Sequence, residues 1–266
     1  MGVRVKSGWA VALCAVAGDA HASAWNPEPW SGEIISGYVQ TTADTAVDPF
    51  GDAFALDLYS KQTSQTYAIV GVSDRIAVVG AFDYQKARII AGDLGVGFEG
   101  PTKLEAGLQY QLHRDADRAV AVSASYLSGA DLPGTLLTLE GRRPRVELRG
   151  LWGENYQLLG RDGFVEAQVA GRMELEGRFS GSRAQFSVGI KPFWRTEVIA
   201  KTRYVRQEAG TFGGFAIPAQ QRWEAEALAA VRVWRQSFLE IGYQSTLAAD
   251  NAVLEHGFRV GTWTKF

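Results

Sequence analysis

A chain of 266 residues with 46% hydrophobic and 21% charged content has room for one large β-domain, and this bulk composition neither shows nor excludes a membrane. Thirty glycines and an aromatic content of 11% lean towards strands separated by many turns. The formal net charge of −2 argues against a general nucleic-acid binder, which would be clearly basic.

Residues 1–24 read as a signal peptide. Arg4 and Lys6 give a positive start, Gly8 to Gly18 is an apolar stretch too short to span a bilayer, and Ala20-His21-Ala22 and Ala22-Ser23-Ala24 are both small-x-small cleavage sites. Cys14, the single cysteine, lies in this segment without a small residue before it, so a lipoprotein anchor is not expected. Cleavage leaves residues 25–266 as one domain with no thiol for a disulfide, a metal site or a nucleophile.

After the signal no apolar run is long enough for a transmembrane helix, and the chain alternates instead. Residues 42–52 form a polar loop, 53–72 exceed one ordinary strand, and Ser73-Asp74-Arg75 is a short turn before a strand at 76–85. A gap at 86–101 follows; its Gly92-Asp-Leu-Gly-Val-Gly97 superficially resembles a phosphate loop but lacks the following helix, and reads as strand or loop. From Lys103, the odd positions Lys103, Glu105, Gln109 and Gln111 oppose Leu104, Ala106, Leu108, Tyr110 and Leu112. Then come a turn at 113–117, a strand at 118–127, a loop at 128–144 and a strand at 145–152. Between 164 and 178, Glu166, Gln168, Arg172, Glu174, Glu176 and Arg178 oppose Val165, Ala167, Val169, Gly171, Met173 and Leu175. Strands at 184–191 and 195–206 flank a turn at 191–194, and a loop spans 207–221. From 224, Glu224, Glu226 and Arg232 oppose Ala225, Ala227, Ala229, Val231 and Val233; a turn at 234–236, a strand at 237–246 and a gap at 247–253 lead to the last strand.

A soluble sandwich also alternates. Segments of ten residues or more, apolar faces rich in Ala, Gly and Val, opposite faces crowded with both charges, and Tyr38, Tyr84, Trp152, Tyr204, Trp223 and Tyr243 near strand ends favour a membrane barrel. The expectation is an all-β protein: a closed antiparallel transmembrane β-barrel following a cleaved signal peptide. If both termini are periplasmic the strand number is even, and alternating short turns with long loops forces 153–162 to the periplasm and 177–183 outside. That gives about 12 strands; 91–98 and 135–141 could each add a short one, and 10 and 14 stay open because boundaries are the least legible part of a single sequence. The end, with Phe258, Val260 and Phe266 on one face, resembles a C-terminal insertion signal, although Thr264 stands where a second aromatic is usual.

The start Ala24-Trp25-Asn-Pro-Glu-Pro-Trp30, followed by Gly32-Glu-Ile-Ile35, is similar to proteins of the XagA type, outer-membrane proteins linked with surface polysaccharide or adhesion. Val70-Gly-Val-Ser-Asp-Arg75 resembles a turn of the wider phenol meta-pathway-like outer-membrane family, and Arg161 to Arg172 and Lys191-Pro-Phe-Trp-Arg195 also resemble segments of these proteins. The resemblance runs thinly from about 24 to 266 and implies a fold more than an activity.

Catalytic chemistry finds little support. The mature chain has only His113, in a turn, and His256, at the outer rim, where Ser245 or Ser237 could lie on a neighbouring strand. No paired histidines stand at metal-ligand spacing, and Asp44, Asp48 and Asp52 read as a solvated loop able to meet divalent ions. No catalytic, cofactor or metal site is assigned. The inward residues are the functional candidates: Lys103, Glu105, Glu147, Arg149, Glu166, Arg172, Glu174, Lys201, Arg203, Glu224, Glu226, Arg232, Glu240 and Arg259. They either line a narrow aqueous channel or pair across a filled lumen. A monomer of the Gram-negative outer membrane is expected, acting as a passive channel or export aid for a small solute or surface polysaccharide. A non-conducting accessory barrel is the rival, and a lipid hydrolase a distant third. Expected partners are outer-membrane lipid and lipopolysaccharide, the barrel insertion machinery and surface polysaccharide, with no nucleic acid and no cofactor.

Overall fold

In the described residues of a computed structural model (23–92, 94–128, 144–212 and 215–266), the alternating segments are strands that pair strictly with their neighbours. In chain order the barrel strands are β1 (Gly32–Thr42), β2 (Leu58–Gly71), β3 (Ile76–Ala91), β4 (Leu94–Arg114), β5 (Arg118–Ser128), β6 (Arg145–Leu158), β7 (Arg161–Glu174), β8 (Phe179–Phe193), β9 (Thr196–Gln207), β10 (Gln220–Trp234), β11 (Ser237–Asp250) and β12 (His256–Lys265). Every neighbouring pair is antiparallel. The ring closes where β1 pairs with β12 from Glu33↔Lys265 to Thr42↔His256, so the barrel itself has no edge strand among the described residues. At the seam, Gly32 and Phe266 exchange both backbone hydrogen bonds at 2.9 Å.

The barrel is apolar outside and polar inside. Leu104, Leu108, Val169, Ile241 and Phe258 stand exposed on the outer wall, whereas Gln109, Glu147, Glu240 and Arg259 are buried within. A belt of exposed large apolar side chains right round a closed wall cannot be left to water, but it matches the outward band of a transmembrane barrel. The chain is therefore an outer-membrane β-barrel of a Gram-negative bacterium. Aromatic pairs lie on the outer wall: Tyr204 with Trp223 (centroids 4.9 Å apart) and Tyr243 with Phe258 (5.3 Å).

The predicted boundaries need several corrections. Residues 86–101 are not a long loop, because β3 and β4 run on to a tight turn at Gly92, whose φ of 59° suits glycine. At 21 residues β4 far exceeds the ~9–11 that a membrane crossing needs, so this hairpin projects beyond the bilayer. The stretch 53–72 splits into a short strand, Ala53–Ala55, and β2. The expected gap at 247–253 is largely the end of β11. Periplasmic residues 153–162 reduce to a two-residue turn in which Leu159 and Gly160 both have positive φ, the geometry that matches strand twist. The outer connection expected at 177–183 shortens to 175–178, which returns Arg183 to β8. The signal peptide, apart from Ser23 and Ala24, and a strand at 135–141 fall outside the described residues.

The extracellular end is capped. Thr45–Val47 pairs with Ala53–Ala55 on one side and Ala252–Val253 on the other. Ala43, Ala46, Leu56, Tyr59, Ile89 and Val253 pack beneath as an apolar cluster, which burial from water stabilises. Asp48 accepts from the backbone of Phe50 (2.8 Å) and Asp52 (2.9 Å), so in this loop it shapes a turn. No group of three metal-ligating side chains occurs among the described residues.

Candidate functional site

Strand parity sends the odd residues of β4, β6 and β8 and the even ones of β7 into the lumen. On this wall Glu105 and Glu147 meet a set of guanidinium groups. Arg149 bonds both carboxylates, while Glu147 also accepts from Arg172 Nε at 2.6 Å and from Arg183 at 2.7 Å. Lys103 lies 2.9 Å from Glu105. Glu147 thus has three arginine partners and is fully shielded from solvent. Such a charge is tolerated only because pairing and hydrogen bonds offset its desolvation.

Across the lumen a second set runs over β9 to β12. Arg203 and Arg222 both hold Glu224, the latter at 2.7 Å; Lys201 lies 3.5 Å from Glu226, and Arg259 joins Glu226 (3.4 Å) to Glu240 (3.7 Å). Under the cap, Glu255 pairs with Lys61 and accepts from Tyr59 at 2.6 Å and Thr41 at 3.1 Å. Burial raises the Glu255 carboxyl, but Lys61 and Arg222 outweigh it and hold the group below the usual carboxylate range.

The periplasmic end is filled differently. Residues 23–28 enter the lumen and lie against β4, β5 and β6. Gln109 Nε2 donates to Ser23 O and Asn26 Oδ1, both at 2.9 Å; Gln111 Nε2 donates to Ala24 O at 2.9 Å, and its Oε1 accepts from Asn26 N at 2.7 Å. Arg114 donates to Asn26 O at 2.9 Å. Ala24 packs with Ala119, Ala121 and Leu151, and the Trp25 ring lies over Gly153, where an added Cβ would come within 2.5 Å of ring carbon Cη2. The chain leaves the lumen at Pro29, which bridges Gly71, and reverses at Trp30 into β1.

Beside this segment is a mouth cavity of about 660 Å³ lined by Trp25, Trp194, Trp263 and Phe238, with Lys191, Arg195, Arg232, Arg235 and Lys265 outnumbering the carboxylates of Glu28, Glu33 and Glu197. Phe238 stacks on Trp263 (5.1 Å), with Arg232 5.3 Å from the Phe238 ring and Lys265 4.5 Å from the Trp263 ring. Trp263 Nε1 donates to Glu33 at 2.9 Å. Aromatic faces rimmed by cations can hold a planar or hydroxylated organic solute and attract an anionic one.

Of the sequence candidates, Lys103, Glu105, Glu147, Arg149 and Arg172 belong to the first set, and Lys201, Arg203, Glu224, Glu226, Glu240 and Arg259 to the second. Glu174 bonds Arg178 at 2.7 Å near the outer end of β7, and Arg232 is exposed at the mouth. Glu166 lies opposite Gly153 on one neighbouring strand and Ser187 on the other, outside both sets. Sequence reading missed Lys61, Arg183, Arg222 and Glu255, together with Gln109 and Gln111 as N-terminal anchors. Arg183, Arg222 and Glu255 lay in or beside presumed loops, and the glutamines carry no charge to mark them. Phe258 and Val260 face outward, and Phe266 is exposed at the seam. Register places Ser245 opposite His256, whose Nε2 lies 3.4 Å from Thr42 Oγ1, while His113 lies 3.1 Å from Asp115.

No family model matches the sequence, and no curated protein does. The fold is similar to that of the COG4313 outer-membrane channel from Pseudomonas putida F1, with a TM-score of 0.73, 14% identity, and coverage of 93% of this chain and 100% of that one. It is also similar to the NanC porin (TM-score 0.53, 8% identity, covering 88% and 100%) and to the translocator domain of the autotransporter NalP from Neisseria meningitidis (0.50, 11%, covering 90% and 90%).

Proposed function

We propose that the protein is a monomeric, narrow outer-membrane channel for a small polar organic solute, held closed by residues 23–28 at its periplasmic end. The observation that carries this reading is the lumen itself. Charged side chains follow one another from Lys61 and Glu255 under the cap, through both ion-pair sets, to Arg232 and Lys265 at the mouth. Ionisable groups at membrane depth are costly, and their usual use is to line a path for polar molecules. The aromatic and cationic mouth favours an organic anion or a sugar acid. Resemblance to XagA-type proteins supports the related reading of a surface glycan passing, or being handed over, at the same site.

The near-complete burial of Glu147, Glu240 and Arg259 favours the rival reading, a non-conducting barrel whose interior only stabilises it and whose cap binds surface polymer or envelope partners. Single-channel recording on refolded protein, with a heat-dependent gel shift to verify the barrel, separates the two. Full-length protein should show rare small steps, and a variant lacking residues 23–28 should conduct in larger, discrete steps. A shortened barrel that folds and stays silent overturns the channel reading. A hydrolase would need His256, so His256→Ala should leave the channel unchanged; loss of a lipolytic activity would revive that alternative.

A further inference from the structure

Within the lumen, cations such as Arg149, Arg203 and Arg259 each grip a carboxylate. The cations around the periplasmic mouth cavity do not: none of Lys191, Arg195, Arg232, Arg235 and Lys265 forms an ion pair among the described residues. Five cations against the three carboxylates of Glu28, Glu33 and Glu197 leave an excess of two positive charges, and Glu33 already accepts from Trp263 Nε1 at 2.9 Å. Aromatic rings hold these cations instead. Arg232, Phe238 and Trp263 stand opposite one another across β10, β11 and β12, and both Arg232 (5.3 Å) and Lys265 (4.5 Å) lie over rings of the Phe238–Trp263 stack. A ring face positions a cation without neutralising it, so its N–H groups stay available to a ligand. Residues 23–28 form one side of the same cavity. There Asn26 is 1% exposed, its Oδ1 accepts from Gln109, and its Nδ2 has no partner among the described residues. A buried amide donor without an acceptor is costly, and a ligand oxygen relieves that cost.

We propose that the closed mouth is a binding site for a small hydroxylated carboxylate, a sugar acid, and that residues 23–28 complete the site, so the solute stabilises the closed barrel. Arg232 and Lys265 take the carboxylate, Asn26 Nδ2 donates to an oxygen, and Trp25 and Trp194 supply apolar walls. The inference rests on the reading of the mouth as the place where solute meets the barrel, but not on conduction. Since the site is whole only with residues 23–28 in place, binding draws the barrel towards its closed form. By reciprocity, the factor by which closure strengthens binding is the factor by which saturating solute suppresses opening.

The test is isothermal titration of D-glucuronate into the refolded barrel in an uncharged detergent, with D-glucose as the neutral control and the heat-dependent gel shift verifying each fold. Glucuronate should saturate, glucose should bind about tenfold more weakly or less, and Arg232→Gln should weaken glucuronate about tenfold. Removal of residues 23–28 should also weaken it about tenfold. Because that deletion takes away Glu28, attraction by charge alone would tighten binding instead. Absence of saturation, equal binding of glucose, or affinity undiminished by the deletion overturns the proposal. If Arg232→Gln does not fold, Lys265→Gln decides in its place, and Trp25→Ala does so for the deletion. Saturable binding by a barrel that stays silent in the bilayer sinks the channel reading alone, whereas a conducting barrel that does not bind sinks this one alone.

Discussion

The two ends of the lumen are closed by unlike means. Under the extracellular cap and through the middle, ionised side chains anchored on different strands grip one another, as Glu147 does with Arg149, Arg172 and Arg183. At the periplasmic end a piece of the chain itself is held by neutral amides, chiefly Gln109 and Gln111. Charged networks in a dry interior have a large penalty for losing one partner, because the others stay buried and uncompensated. Amide bonds cost less to break, and water can replace them as the segment leaves. The contrast teaches which end can move: the ion-paired zone braces the wall, whereas the hydrogen bonds that Gln109 and Gln111 make to residues 23–26 can pass to water as the segment withdraws.

The largest expected effect lies in the braced zone. Glu147→Leu leaves three guanidinium groups without a shared carboxylate and should lower unfolding stability by about 3–5 kcal/mol, read from the denaturant midpoint of the refolded barrel. An unchanged midpoint would mean that water already screens this network and that the two zones do not differ. Gln111→Leu should cost less, about 1–3 kcal/mol, because Asn26 N and Ala24 O lose their bonds. It should also expose 23–28 to added protease and raise open probability in the bilayer. Gly153→Leu tests the same latch sterically: it displaces the Trp25 ring and should raise conductance with little loss of wall stability.

The smallest effect belongs to a turn outside both zones. The Asp115 carboxyl accepts from the backbone N–H of Arg118 (2.7 Å) and Asp117 (2.9 Å), and these bonds, with His113, hold its pKa down to about 2. A depressed folded pKa means that the contribution is full above the unfolded value of about 3.9 and fades as pH falls through about 2. Asp115→Asn should flatten that part of the acid-unfolding profile and leave conductance alone. A conductance change would tie this turn to the neighbouring N-terminal segment.

Arg149→Glu looks from sequence like a way to invert channel selectivity. Arg149 is buried between Glu105 and Glu147, so that change would gather three carboxylates in one dry spot and test folding instead. Arg232, exposed at the mouth, is the better position for a selectivity change.

Alternation at period two is a local property, and in a closed barrel the membrane fixes its sense all the way round. For this reason the closed barrel of about twelve antiparallel strands, each with one polar and one apolar face, could be read from the chain itself. Strand ends were less legible where β3 and β4 rise beyond the membrane, because glycines and charges there mimic a loop while the hairpin continues by pairing with itself. Ion-pair partners needed the register between strands far apart in sequence: Glu105 meets Arg149, and Lys61 meets Glu255, only after the sheet has curled and closed. The place of residues 23–28 depends even more on closure. Their anchors are uncharged glutamines and a wall glycine, which acquire meaning only once there is an inside for the chain to enter.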